Sequence, residues 1–198
     1  MKAQHILDRA RRGLTLTTAT LLLAGGSLFA GNYQLDSHTI QWSGSMPAKT
    51  HTGLLTPQSF DVSITDDGKV ESLNAVLDMS SIDVTDLEGK NRKKLTKHLL
   101  SEDFFFVEKY PTAIFNLEQF EEGKLHGTIT IRGVSKPVVI PVSVKGHPDR
   151  GWILTGAFTF NRQDFNVNYQ NGGLFGVAKD KLIRDEVELD IEVKVTQG

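Results

Sequence analysis

Apolar and polar residues alternate with a period of two along most of the chain, most cleanly at the C-terminus. Val187, Leu189, Ile191, Val193 and Val195 are interleaved with Glu186, Glu188, Asp190, Glu192 and Lys194, the pattern of a strand with one dry and one wet face. The same alternation runs through His38, Ile40 and Trp42; Phe60, Val62 and Ile64; Leu73, Ala75, Leu77 and Met79; and Ala113, Phe115 and Leu117. It returns in Leu125, Gly127, Ile129 and Ile131; in Val138, Ile140, Val142 and Val144; in Trp152, Leu154, Gly156, Phe158 and Phe160; and in Phe165, Val167 and Tyr169. About eight or nine strands are predicted. Asp66-Asp67-Gly68, Glu121-Glu122-Gly123, Arg132-Gly133 and residues 146–151 separate them at spacings suited to an antiparallel meander.

Parallel βαβ units are excluded because the intervening helices are missing. Only residues 86–100 read as a helix, with Asp86 as its candidate cap and Leu95 and Leu99 one turn apart on one face. Ser101-Glu102-Asp103 then opens a short helical turn carrying Phe104, Phe105 and Phe106. Eight antiparallel strands with one apolar face each must close on themselves or stack as two sheets, and a single helix favours closure. The expected fold is therefore all-β, an antiparallel eight-stranded barrel with one short helical segment. A barrel of this size is either filled by its side chains or holds one small ligand. Gly127 and Gly156 interrupt apolar faces, where glycine either leaves room or marks a bulge. Ten of the 11 Phe lie beyond residue 30, and their rings suit either a close-packed core or a wall around a long apolar chain.

The first thirty residues differ from the rest. Lys2, His5, Arg9, Arg11 and Arg12 precede an apolar run from Leu14 to Leu23 and a small-residue stretch ending at Ala30. This reads as a signal peptide, residues 1–30, too short to span a bilayer comfortably, with the remaining domain at 31–198 and a periplasmic location. Arg11-Arg12 resembles a twin-arginine leader only faintly. No other apolar stretch is long enough for a transmembrane helix, so no stable membrane span is expected after processing.

The 198 residues carry 22 Lys+Arg and 24 Asp+Glu, a balance without the basic field that nucleic acid requires. Without the leader, 18 basic residues face 23 acidic ones, a net charge of −5. The lack of cysteine excludes disulfides, thiol nucleophiles, thiolate metal sites and a lipidated cysteine anchor. HExxH, GxSxG and phosphate-loop motifs are absent. His38, His51, His98, His126 and His147 are each isolated in sequence, so neither a metal site nor a catalytic residue is expected. Asp164 near Arg162, and Arg184 beside Asp185, read as charge-paired supports.

Several segments together resemble the YceI-like family. Glu102-Asp103-Phe104-Phe105 with Val107-Glu108-Lys109-Tyr110-Pro111-Thr112 and Phe115 is similar to its S-x-D-F-F-x-V-E-K-Y-P-T-x-x-F signature. Tyr33-Gln34-Leu35-Asp36 looks like its opening strand, and Met79-Ser80-Ser81-Ile82 leading to His98-Leu99 like its strand-to-helix crossing. Thr128 to Val138 resembles its L-T-I-x-G-V-T-K-P-V hairpin and Phe160 to Phe165 its F-x-R-x-D-F strand. Each match is weak alone, and five in order are specific. The resemblance departs at Asn166 to Lys181, a glycine-rich insertion, and at Lys49 to Gly53, both placed to frame a barrel mouth or to form solvated loops.

The resemblance implies an exported, lipocalin-like binding protein, often a homodimer. Its tunnel would hold an amphiphilic or isoprenoid lipid, a quinone or a fatty-acyl amide as ligand, with no cofactor. In that reading Phe104, Phe106, Phe115, Phe158, Phe160, Phe165 and Tyr169 supply tunnel wall, and His51 and Arg162 orient a polar end. Asp103, Tyr110 and Pro111 are assigned to architecture. The alternative is a non-catalytic structural or interaction module with a filled barrel.

Overall fold

The computed structural model describes residues 30–170 and 182–197; the expected leader, apart from Ala30, and most of the glycine-rich insertion lie outside them. Eight strands form one closed antiparallel barrel in chain order. They are β1 (Ala30–Met46), β2 (Lys49–Thr65), β3 (Val70–Val84), β4 (Thr112–Glu121), β5 (Lys124–Ile131), β6 (Val134–His147), β7 (Gly151–Asn161) and β8 (Glu186–Gln197). The last strand pairs with the first, from Tyr33↔Gln197 to Gly44↔Val187, so no edge is left. Period two decides which side chains face inward: Val187, Leu189, Val193 and Val195 are buried, while their acidic neighbours in β8 are exposed. His38 is exposed although it pairs with buried Val193, just after a register shift in β1 between Leu35 and Ser37.

The one α-helix, α1 (Gly89–Leu100), lies between β3 and β4 and packs on β3. Its N-cap is Glu88, which makes no side-chain cap bond. Asp86, expected as the cap, instead accepts hydrogen bonds from the His51 ring and the Thr52 amide of β2. Past the helix the chain folds into a tight turn, in which the Phe105 amide donates to Leu99 O and the Val107 amide to Leu100 O. Tyr110-Pro111 then delivers the chain into β4, the extended direction that a residue before proline favours.

Between β6 and β7 the pairing runs only from His147↔Gly151 to Val142↔Gly156, and the strands part beyond it. The Val142 amide donates to Gly123 O on the β5 side. By alternation, the positions of Pro137 and Pro141 face β7, where a missing N–H breaks no ladder bond. Arg132, in the β5–β6 turn, crosses to the other wall by donating to the carbonyls of Asn166 and Glu102.

Gly53 sits directly opposite Trp42. A Cβ there would lie 1.8 Å from the Asp83 carbonyl and 2.5 Å from the indole. Gly53→Ala should therefore push β2 from β3 and tilt Trp42, at a cost of about 1–3 kcal/mol in a urea melt. An unchanged midpoint would show that the indole has room to move.

Candidate functional site

The barrel interior is not filled. An upper chamber of about 110 Å³ lies at the end carrying α1 and the β1–β2 turn, and a lower one of about 80 Å³ lies deeper in the barrel. Leu77, Ala113, Ile129 and Leu189 border both, so the two are consecutive compartments with a common waist. A water-sized group needs about 10–15 Å³ of such space. Together the chambers therefore hold about a dozen or more methylene-sized groups.

Each wall follows from strand phase. Trp42 from β1, Leu55 from β2, Met79 and Ile82 from β3, and Leu95 and Leu99 from α1 face the upper chamber. Phe60, Leu73, Phe115, Leu154, Phe158 and Ile191 face the lower one. Apolar burial of this kind takes a chain by area rather than by directed bonds.

The expected wall residues divide. Phe104 and Phe160 border the upper chamber, and Phe115 and Phe158 the lower. Phe106 borders neither. Its backbone turns left-handed at φ 49° and its ring stands edge-on to Tyr110, with the Lys109 ammonium 5.9 Å from its centroid. Phe105 takes the inward place instead. Phe165 is buried behind Phe160, centroids 5.6 Å apart, rather than facing the void. Tyr169 lies against the His98 ring at 4.4 Å and does not border either chamber. Of the two readings of Gly127, the bulge holds: a register shift lies beside it, and the space is occupied by the Phe115 ring, which a Cβ there would meet at 2.8 Å. Gly156 does border the lower chamber.

His51 and Arg162 both reach the upper chamber, and both are held by partners within the protein: His51 through Nδ1, Arg162 through its whole guanidinium. Arg162 is fully buried. It donates to the carbonyls of Val167 (2.7 Å), Tyr169 (2.9 Å), Arg184 (3.1 Å) and Ile183 (3.2 Å), and pairs with the Asp185 carboxylate at 3.2 Å. The guanidinium is thus engaged in tying residues 167–169 to residues 183–185 while its stem borders the upper chamber. Burial lowers its pKa and the Asp185 charge opposes that shift, but an arginine stays charged at any ordinary pH.

His51 Nδ1 lies 2.7 Å from Asp86 Oδ2, and the Thr52 amide donates to Oδ1 at 3.0 Å. Burial pushes the Asp86 carboxyl up, but these hydrogen bonds outweigh it and hold the pKa below the usual 3.8. A carboxyl whose folded pKa is depressed stabilises the fold above its unfolded value and ceases to do so as pH falls through the folded one. Asp86→Asn should therefore lower stability by about 1–2 kcal/mol at pH 7. The gap between variant and parent should narrow as pH falls below the ordinary 3.8 and through the depressed folded pKa, in paired thermal melts. A gap independent of pH would assign the loss to packing instead.

The sequence reading missed Trp42, Met79, Leu95 and Phe105. Trp42 was legible from its phase with Ile40, whereas three consecutive Phe in a turn have no period to read. Among the described residues no group of three His, Asp or Glu could hold a metal ion, and no helix is long and apolar enough to cross a membrane.

The family model for a YceI-like domain matches residues 33–195, nearly the whole barrel. The chain belongs to the YceI-like family. This YceI-like chain is 32% identical over 155 residues to the UPF0312 protein plu2095 of Photorhabdus laumondii, across 70% of this chain and 74% of that one. The crystal structure of BcnA from Burkholderia cenocepacia superposes with a TM-score of 0.62 at 20% identity, covering 80% of this chain and 96% of that one. A polyisoprenoid binding domain from Saccharophagus degradans superposes with a TM-score of 0.61 at 14% identity, covering 84% and 98%. At these identities the two structures bear on the fold alone, an eight-stranded antiparallel barrel.

Proposed function

We propose that this protein is an exported carrier that holds one long apolar chain, such as a polyisoprenoid, a quinone tail or a fatty-acyl amide, along the barrel axis. The observation that carries the reading is the pair of apolar chambers joined at a waist. A chain threading both would bury its methylenes at about 0.8 kcal/mol each. Ten carbons supply about 8 kcal/mol, the scale of a micromolar complex, without any directed bond. The family supports a binding role, and one structural neighbour is a polyisoprenoid binding domain. The basic and apolar leader at residues 1–30 supports export.

Organic extraction of the purified protein followed by mass spectrometry tests the proposal. A stoichiometric long-chain lipid is the expected result. A clean extract, together with no binding of added fatty-acyl amide or prenyl quinone, would favour the filled-barrel interaction module. N-terminal sequencing of the protein from the periplasmic fraction should begin at Gly31. A start at Met1 would remove the export step.

A further inference from the structure

One feature of the molecule runs against its charge. The chain carries a net charge of −2, yet α1 reads Gly-Lys-Asn-Arg-Lys-Lys-Leu-Thr-Lys-His-Leu-Leu, with no acidic residue. Lys90, Lys93, Lys94 and Lys97 follow i, i+3, i+4, i+7 spacing and so form one stripe along the helix. All four are exposed. Arg92 is neutralised by Asp83, but none of the four lysines has an ion-pair partner among the described residues. Glu88 precedes the helix and Glu102 and Asp103 follow it, outside the stripe. The opposite helix face carries Leu95, His98 and Leu99, which border the upper chamber. The helix is thus a roof, apolar beneath and cationic above.

We propose that the α1 lysine stripe docks the protein on an anionic phospholipid surface and so sets the upper chamber against the source or destination of its apolar cargo. The proposal rests on the carrier reading for its purpose, but not for its chemistry. Four lysines on one face match a plane of lipid phosphates, and juxtamembrane lysines attract such a surface additively. The rest of the barrel gives the approach a direction. The outward residues Glu186, Glu188, Asp190 and Glu192 of β8 form an acidic row, three strands round the barrel from β3, on which α1 sits. That wall is repelled by the surface that attracts the helix.

Cosedimentation with vesicles tests this. Protein should bind vesicles of phosphatidylglycerol and phosphatidylcholine mixed, and not vesicles of phosphatidylcholine alone. Binding should weaken steeply between low and physiological salt, because screening acts within about 8 Å at 0.15 M. Replacing all four lysines by Gln should weaken vesicle binding about a hundredfold or more, whereas replacing them by Arg should preserve it. Both variants should keep the parent melting temperature and the parent capacity for added fatty-acyl amide. That last measurement separates the two readings: lost chain binding in the parent sinks the carrier, and retained vesicle binding in the Gln variant sinks the dock. Equal binding to neutral vesicles, no vesicle binding, or binding to nucleic acid or an acidic protein in place of vesicles would each overturn the docking proposal.

Discussion

Ala113→Phe should abolish tight binding of long chains while leaving short ones almost unaffected. Ala113 is buried in β4 opposite Leu77 and borders both chambers. A phenyl ring there projects into empty space at the waist, so it closes the passage with little overpacking. The lower chamber has room for about five or more methylene-sized groups. Denying them to the ligand forfeits about 4 kcal/mol, close to a thousandfold in affinity. Titrations with saturated amides of graded length should show affinity rising with carbon number in the parent. In Ala113→Phe the rise should stop once the upper chamber is full. The melting temperature should stay level or rise, since the ring fills a void. If it falls sharply, Ala113→Leu offers a smaller plug for the same comparison. Parallel length dependence in parent and variant would mean that the chain does not pass the waist.

The barrel was legible because one dry and one wet face per strand is written residue by residue. In β8 every inward position is apolar and every outward one charged or polar from Glu186 to Lys194, and nothing else could satisfy that segment. The site was only half legible, and the failures share a cause. Strand phase places Phe115, Phe158 and Phe160 inward, but Phe106 and Tyr169 lie in turns, where orientation depends on single dihedral angles. The left-handed backbone at Phe106 rotates its ring onto Tyr110 and leaves Phe105 to face the chamber. Phe165 ends a 3₁₀ turn, Arg162–Phe165, and packs as a second layer behind Phe160. Charge is less legible still. The resemblance puts Arg162 at the polar end of a ligand, and its partners in the fold are carbonyls 5 to 22 residues away in sequence. Asp86 looks like a helix cap because it precedes α1, but a neighbouring strand offers it a stronger pair of donors.

Arg162→Met should be the most destabilising single change in the described structure. The guanidinium is fully buried and bonds four carbonyls, two at residues 167–169 and two at residues 183–184, with Asp185 as its counter-charge. Methionine matches much of the stem but none of the donors. It leaves the carbonyls of Val167, Tyr169 and Ile183 short of a partner and the Asp185 charge uncompensated in a part-buried place. Breaking such a pair by removing one member costs about 3–5 kcal/mol, or about 6–20 °C in melting temperature for a domain of this size. Arg162→Lys keeps the charge, but a single ammonium cannot reach four separate carbonyls, so it should recover only part of the loss. Because two of these carbonyls, of Ile183 and Arg184, belong to residues that line the upper chamber, ligand dissociation should accelerate in both variants at temperatures where the barrel is still folded. A double variant with Asp185→Asn separates the terms. If the uncompensated Asp185 charge dominates, neutralising it as well should make the double variant more stable than Arg162→Met alone. If the carbonyl bonds dominate, the double variant should be no more stable than the single one, and the melting curves of the set will show which.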